Sequence, residues 1–385
     1  MLKYRHMLPS TLRVFTLSMI PVQEKEALSV VLEEFGYSPK NCSVMPLGNG
    51  LINSTYLVKV NNESFVLQHL NKHVFKSPEQ VTNNADYISQ HLKAKHDKNQ
   101  YALQPIWQHQ TKSMQNHVNI NGEYWRSLHC IENCYTIETI ENNEQAKLVA
   151  NAFAQFTSAL TDFDSKLLVD IIPDFHNLSA RLNQFENAIK QASVERQQQA
   201  ASIIGYIHSQ EKFCEEVNDL NNVLPLRVTH NDTKINNLLF SHSNHKPKAV
   251  IDLDTCMAGY LMHDFGDMIR SCCSTIPEDS AEISKMSINF NTLTALTEAY
   301  LDGFSETLSE IEQHSLITGV KLMPFMLSIR FLTDFLNGDQ YFKTQYPEHN
   351  LVRAKNQMQL YKLFCQHHEQ LSEIILRKPV LNAIA

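Results

Sequence analysis

His230-Asn231-Asp232-Thr233-Lys234-Ile235-Asn236-Asn237 decides how this chain is read. An Asp follows the His by two residues, a Lys stands two beyond it, and an Asn lies five after the Asp. Phosphoryl transfer needs this set on one loop. The Asp accepts the proton of an attacking hydroxyl, and the Asn side-chain oxygen helps hold magnesium on a nucleotide. A second element follows, Val250-Ile251-Asp252-Leu253-Asp254, an apolar run ending in two carboxylates. Acids separated by one residue on a strand point to the same side, so both are expected to face one phosphate-bound metal.

Roles follow from chemistry and position. Asp232 is the expected catalytic base, although an isolated Asp would more simply be a turn or cap residue. Lys234 is expected to neutralise charge on the transferred phosphoryl group; a solvated loop lysine is the plain alternative. His230 is read as tying the loop to its surroundings. Asn237 and Asp252 are expected metal ligands, and Asp254 is either a second ligand or the group that holds the first. Further on, His263-Asp264-Phe265-Gly266-Asp267 is not taken as the metal motif. Asp264 and Asp267 are expected to brace the loop and cap the next helix.

Before this region, the chain reads as strands around one helix. Strands are expected at Ser43–Leu47, Leu51–Val60 and Glu63–Leu70, with a tight turn at Asn61-Asn62. Ser77-Pro78-Glu79-Gln80 carries the signals of a helix start, and that helix is expected to reach about Leu92. A hairpin should turn at Asn121-Gly122. Gly48-Asn49-Gly50-Leu51-Ile52-Asn53 sits between two strands and suits a phosphate loop, with Gly48, Gly50 and Asn53 as nucleotide contacts. Two glycines near a strand otherwise mark only a turn. The strand Phe65-Val66-Leu67-Gln68-His69 places Gln68 where a phosphate-binding Lys or Arg is expected; its amide offers hydrogens but no charge.

From Glu144 the period becomes helical, with Leu148, Val149, Phe153, Phe156 and Leu160 on one face. Helices are expected at 178–192, 196–220 and through most of 280–375, the last region carrying Pro324 inside an apolar helix. A strand at Leu226–Thr229 should lead into the octapeptide, and Asn237–Phe240 should pair with Lys248–Asp252. The expected class is α+β: a two-lobed, protein-kinase-like fold with a β-rich N-lobe and a mainly helical C-lobe. The boundaries read as an N-terminal extension at 1–22, a nucleotide-binding N-lobe at 23–132, and a catalytic and substrate-binding C-lobe at 133–385.

Composition is that of a globular chain. The 385 residues are 43% hydrophobic and 19% charged, enough for two substantial cores. A net charge of -8 argues against nucleic acid or an anionic membrane as partner. Eight cysteines without a CxxC pair point to reduced thiols and a cytoplasmic location rather than disulfides or zinc. No signal-peptide core and no stretch of membrane-spanning length is read.

At these residues the chain resembles the aminoglycoside phosphotransferase-like superfamily, and within it the N-acetylhexosamine 1-kinases. The wider likeness rests on His230, Asp232, Asn237 and Asp252. The narrower one rests on Asn53-Ser54-Thr55-Tyr56-Leu57-Val58, Phe65-Val66-Leu67-Gln68-His69-Leu70-Asn71 and the octapeptide. It continues through Val250 to Thr255, Asp264 to Arg270, Arg330 to Asp339 and Tyr341-Phe342, covering about residues 45–345. That subgroup is similar in having Val-Leu-Gln where other relatives have Val-Leu-Arg or Val-Leu-Lys.

The resemblance implies ATP and Mg2+, with transfer of the γ-phosphate to the anomeric hydroxyl of N-acetylglucosamine or N-acetylgalactosamine. It implies that Arg330 and Tyr341 help hold the sugar. An Arg330–Asp334 helix pair at i,i+4 and a core tyrosine are the structural alternatives. Two other readings stay open: a kinase of another small hydroxyl compound (aminoglycoside, choline-like amine or homoserine), and a catalytically silent nucleotide- or sugar-binding protein. A cationic substrate would need acids such as Glu278, Asp279 and Asp339 to converge.

Overall fold

The computed structural model describes residues 22–47, 52–72, 74–304 and 307–377. The expected extension, residues 1–22, lies outside them except for Val22. The chain is α+β, with an antiparallel sheet on the N-terminal side and a helical C-terminal part. It divides into two compact units: residues up to Asp86 together with Ile106–Ile131, and Tyr87–Pro105 together with Glu132 onward.

In the first unit, α1 (Val22–Glu34) precedes β1 (Cys42–Pro46), β2 (Ser54–Val60) and β3 (Glu63–Leu70). The helix α2 (Pro78–Asp97) starts here, at the expected proline, but runs to Asp97 rather than Leu92. Next come β4 (Gln108–His109), β5 (Val118–Ile120) and β6 (Glu123–His129). The sheet order is β1-β2-β3-β6-β4, with β5 also on β6. Both expected hairpins form. Asn61 takes a left-handed φ of 53° where Val60 pairs with Glu63. Asn121 and Gly122 take φ of 54° and 83°, the two positive values that a tight twisted turn requires. Period-2 alternation places Val58, Phe65, Leu67 and Trp125 in one core with Leu28 and Leu32 of α1.

The second unit continues with β7 (Cys134–Tyr135), α3 (Asn143–Ala159), α4 (Leu178–Gln191), α5 (Val194–His208) and α6 (Glu211–Val223). The single helix expected over 196–220 is thus two helices, broken at Ser209-Gln210. Ser209 Oγ donates to Tyr206 O at 2.7 Å, closing α5 with its own side chain. Then follow β8 (Arg227–Thr229), β9 (Leu238–Ser241), β10 (Pro247–Val250), β11 (Met257–Gly259) and α7 (Leu261–Cys273). The end is α8 (Phe290–Phe304), α9 (Glu310–Leu336), α10 (His349–Gln366) and α11 (His368–Ile375). As expected, β9 pairs with β10.

The axis of this unit is α9, 27 residues long with Pro324 inside it, hence about 40 Å. It packs on α7, α10 and α4, and its Leu322, Phe325 and Ile329 share a core with Phe185 and Tyr361. One sequence expectation fails here: α9 is long and apolar enough to cross a membrane. Its apolar window is 83% buried within the protein, so neighbouring helices cover what lipid would. All eight cysteines are free thiols.

Two glycines let α7 and α9 touch. A Cβ on Gly266 would stand 2.2 Å from Gly319 O, and one on Gly319 would stand 2.1 Å from Met262 O. Both obstacles are backbone, so neither can rotate away. Gly319→Ala is therefore expected to cost about 1–3 kcal/mol, read as a lower urea midpoint with unchanged m; an unchanged midpoint would contradict this packing. This close contact matters because α7 and α9 both carry candidate site residues.

Candidate active site

The strand β8 delivers the chain into the octapeptide and is anchored at its start. Arg227 forms a fork to Glu312 in the first turn of α9, at 2.8 and 2.9 Å. Beyond β8 the loop turns sharply, with Asn231 in the left-handed region at φ 63°. Asp264 of α7 holds this turn: its carboxylate accepts the His230 N–H at 2.8 Å and the Asn231 N–H at 2.7 Å. Its carbonyl accepts the Thr233 hydroxyl at 2.6 Å, and Thr255 donates to His230 O at 2.7 Å. The His230 ring donates from Nε2 to Ile251 O (2.9 Å), which leaves Nδ1 to accept the Asp232 N–H (3.3 Å). His230 and Asp264 thus fix backbone. The expected helix cap does not form, because Asp264 and Asp267 lie inside α7, whose N-cap is Tyr260.

Asp232 stands at the loop's open side with Lys234 Nζ 3.4 Å from Oδ1. Asn237 Nδ2 donates to Asp232 O at 2.8 Å and to Oδ2 at 3.0 Å. Burial alone would raise the Asp232 carboxyl, but the Lys234 ammonium and the Asn237 amide help outweigh it and hold it below the ordinary carboxylate range. Asp232 in turn raises the Lys234 ammonium. The pair therefore stays a carboxylate and an ammonium at neutral pH. With Nδ2 committed to Asp232, Oδ1 is the Asn237 atom left for a cation.

The expected geometry of the two later acids does not hold. The strand β10 stops at Val250; Asp252 takes a left-handed conformation (φ 63°), and Asp254 lies in a 3-10 turn over Leu253–Thr255. Strand alternation therefore does not aim them together. Asp252 is exposed, whereas Asp254 is 2% exposed. Among the described residues no cluster of three or more His, Cys, Asp or Glu could hold a metal. The oxygen donors Asn237 and Asp252 suit a hard cation such as magnesium, which takes few protein ligands and keeps water and phosphate for the rest.

Arg330 sits in the last two turns of α9, and Tyr341 follows the helix. The expected alternative for Arg330, an ion pair with Asp334, is not formed. Asp334 instead accepts N–H bonds from Gln340, Tyr341 and Phe342 at 2.8–2.9 Å, and the Asn350 amide at 2.9 Å. The Arg330 guanidinium lies over the Phe175 ring at 4.9 Å and the Phe342 ring at 5.6 Å. Tyr341 is 51% exposed and so is not a core tyrosine. Sequence reading missed Phe175, His176 and Arg181 beside it. The His176 ring contacts Asn231 O at 3.3 Å, linking this group to the catalytic loop. Arg181 donates to Phe175 O, and burial together with the Arg330 charge pushes its guanidinium down to about 10. No spacing rule connects residues 175–181 with 330. The acids weighed for a cationic substrate are each engaged: Glu278 with Arg270 at 2.5 Å, Asp339 with Arg196 at 2.7 Å, and Asp279 4.0 Å from His349, which also feels the Asp339 charge.

His176 also packs on His263 of α7, with ring centroids 4.8 Å apart. His263 is 4% exposed, neither ring nitrogen has a hydrogen-bond partner among the described residues, and burial pushes it down to about 4. A folded value below the unfolded one, about 6.5, means stability present above pH ~6.5 and lost as pH falls toward 4. Burial pushes the neighbouring Asp264 carboxyl up to about 6, with the opposite sign: its contribution is lost as pH rises through 6. The difference between wild type and His263→Gln isolates the histidine. Their stability gap should shift by up to about 3 kcal/mol against wild type between pH 7 and pH 4; parallel pH curves from urea titrations would refute it.

In the first unit, Asn53 Oδ1 accepts the Asn71 N–H at 3.0 Å, and Asn71 Nδ2 donates to Ile52 O at 3.3 Å. The end of the expected phosphate loop is thereby tied to the end of β3. Gly48 and Gly50 lie outside the described residues. Gln68 donates to Thr55 Oγ1 and accepts from Arg126, a residue the sequence reading passed over.

The loop holds a carboxylate, an ammonium and an amide together, the set that phosphoryl transfer to a hydroxyl would use. The comparison with known families agrees: residues 43–285 match the phosphotransferase enzyme family APH, and the chain belongs to that family. Solved structures share the protein-kinase-like fold at low identity. An aminoglycoside phosphotransferase from Alicyclobacillus acidocaldarius aligns with TM-score 0.60 and 12% identity, over 89% of this chain and 96% of that one. A microcompartment-associated aminopropanol kinase aligns with TM-score 0.56 and 14% identity, over 90% and 98%. Plasmodium vivax ethanolamine kinase aligns with TM-score 0.54 and 13% identity, over 83% of each chain.

Proposed function

We propose that this phosphotransferase moves the γ-phosphate of ATP, with Mg2+, onto the anomeric hydroxyl of an N-acetylhexosamine, N-acetylglucosamine or N-acetylgalactosamine. Among small-molecule kinase substrates, the observation that favours this acceptor is the pair of guanidinium groups, Arg181 and Arg330, beside the aromatic residues Phe175, Phe342 and Tyr341. Like charge disfavours an amine there, whereas guanidinium donors and ring faces suit the hydroxyls, acetamido carbonyl and apolar face of a neutral sugar. His176, bonded to Asn231 O, joins this group to the loop that carries Asp232.

In the reaction proposed, the anomeric oxygen bonds to the γ-phosphorus as the bridging oxygen departs with ADP. The sugar's hydroxyl proton passes to Asp232. Its lowered pKa fits a base used late, when the transferring group is already loosely bonded and the hydroxyl has become acidic. Lys234 offsets charge on the phosphoryl oxygens. Asn237 and Asp252 are assigned to the metal, with Asp254 buried behind; bound magnesium supplies charge neutralisation on the phosphates. Gly48, Gly50, Asn53 and Gln68 of the first unit are assigned to the nucleotide, and residues 23–132 and 133–385 to the nucleotide-binding and catalytic lobes.

The acceptor is tested by ADP release across a panel: N-acetylglucosamine, N-acetylgalactosamine, kanamycin, choline, ethanolamine and homoserine. Turnover with the neutral sugars and none with the amines is expected, and Arg330→Ala should raise the sugar KM without changing that for ATP. Preference for kanamycin, choline or ethanolamine would overturn the acceptor assignment.

A further inference from the structure

Beyond α7 the chain forms a loop, residues 274–289, that returns on itself. Ser274 forms a β-bridge with Ile288, and the Asn289 N–H donates to Cys273 O at 2.9 Å. Asn356 of α10, fully buried, pins the loop from outside: its Nδ2 donates to Pro277 O at 2.9 Å and to Ser280 O at 3.0 Å. Between those two carbonyls stands Glu278. Its Oε2 accepts from Arg270 Nη1 at 2.5 Å, and Arg270 Nε donates to Asp267 Oδ1 at 2.8 Å. Arg270 and Asp267 lie three residues apart on α7 and are both buried. Backbone and side chain of Glu278 are thus each held by buried partners.

Held in this way, Glu278 is still open to solvent. Its side chain is 35% exposed, much like Asp232 at 30% and Lys234 at 38%. It also stands near them: α7 packs on the turn Ile235–Asn237 that follows Lys234, and after Asp232 no charge acts on the Lys234 ammonium more strongly than Glu278. The second carboxylate oxygen, Oε1, has no hydrogen-bond partner among the described residues. Its charge, by contrast, is already met. Burial would raise the carboxyl, but Arg270, Lys234 and Arg353 hold it below the ordinary range, so it carries no proton of its own. Arg353 reaches toward the acceptor group: it donates to Lys343 O at 3.1 Å and lies over the Phe331 ring, which packs on Phe342. A carboxylate met by three cations has little call for a fourth, and its spare lone pairs suit a neutral hydroxyl donor.

We propose that Glu278 is a further acceptor-binding residue, whose Oε1 receives one of the remaining hydroxyls of the N-acetylhexosamine while the anomeric hydroxyl lies at Asp232. Arg270 and Asn356 position it. This rests on the acceptor reading above and adds a hydrogen-bond acceptor to a group otherwise made of guanidinium donors and ring faces.

Initial rates with N-acetylglucosamine and its 3-, 4- and 6-deoxy analogues, on wild type and Glu278→Gln, test the proposal. Glutamine keeps the size and gives Arg270 an oxygen, which turns the amide N–H outward and replaces an acceptor by a donor. The sugar KM is expected to rise about tenfold or more, with the KM for magnesium ATP unchanged within about twofold. The loss should belong to one hydroxyl. One deoxy analogue should be as poor a substrate for wild type as the full sugar is for the variant, and should lose no more than about twofold further on Glu278→Gln. An equal penalty on all four sugars would assign Glu278 to building the loop and overturn the proposal, as would an unchanged sugar KM. If Glu278→Gln does not fold, Glu278→Asp, which keeps the charge and shortens the reach, is read by the same comparison: loss confined to one hydroxyl supports the proposal, and uniform loss refutes it. No turnover of either N-acetylhexosamine by wild type would instead strike the acceptor reading itself, and the inference with it.

Discussion

Asp232→Asn should abolish nearly all turnover while leaving nucleotide affinity close to wild type. The argument is local. Asp232 is the carboxylate that Lys234 and Asn237 keep ionised, so it can take a proton throughout the neutral range. An asparagine keeps the shape and can still accept from Asn237, but it cannot receive the proton of the attacking hydroxyl. Loss of a positioned base typically costs roughly 10²–10⁴ in rate. The fall should appear in kcat, with the dissociation constant for magnesium ATP within about threefold. If the variant retained a tenth or more of wild-type kcat, Asp232 would not be the base. If both kcat and ATP affinity collapsed, its role would be to build the loop.

Asp334→Ala should have the largest effect on stability. One carboxylate, 5% exposed, accepts three consecutive backbone N–H groups (Gln340, Tyr341 and Phe342) and the Asn350 side chain. Alanine would strip this acceptor from three partly buried backbone N–H groups and from the buried Asn350 amide, which keeps Asp339 as its other acceptor, a loss of about 3–5 kcal/mol over the four bonds. The same bonds hold the segment that presents Tyr341 and seats Phe342 against Arg330. A raised acceptor KM with unchanged ATP affinity should therefore accompany the lower urea midpoint. A change below about 1 kcal/mol would mean that water replaces the carboxylate and the segment is not held by it.

Much of this molecule follows from short-range chemistry and is legible before folding. Asn61 and Asn121-Gly122 turn their hairpins because those residues accept positive φ at low cost, and alternation on β2 and β3 marks the buried face. The octapeptide carries its own geometry, since His230, Asp232, Lys234 and Asn237 lie within eight residues and meet in one loop. What stayed hidden depends on distant partners. Asp252 is read from sequence as a strand residue, yet the chain leaves β10 and turns left-handed there. Arg126 carries no motif; only strand register, 58 residues apart in the chain, places it on Gln68. Phe175, His176 and Arg181 reach Arg330 only because α4 packs on α9. Asp334 offers a neighbour four residues back as its obvious partner, yet it takes the backbone ahead of it instead.

The carboxylate, ammonium and amide are set by one loop, while the residues proposed to hold the acceptor come from α4 and the segment before it, α9 and the turn after α9. A pattern within eight residues constrains chemistry directly; a group gathered from four places does so only once the fold is formed.

Phosphorus NMR of the purified chain with magnesium ATP and N-acetylglucosamine is the most direct test of the central claim. The account predicts a new resonance coupled to the anomeric proton, the mark of a sugar 1-phosphate, growing as ADP appears and absent with Asp232→Asn. A phosphorylated product coupled to any other proton, or ATP left intact beside both N-acetylhexosamines while an amine alcohol is phosphorylated, would contradict it.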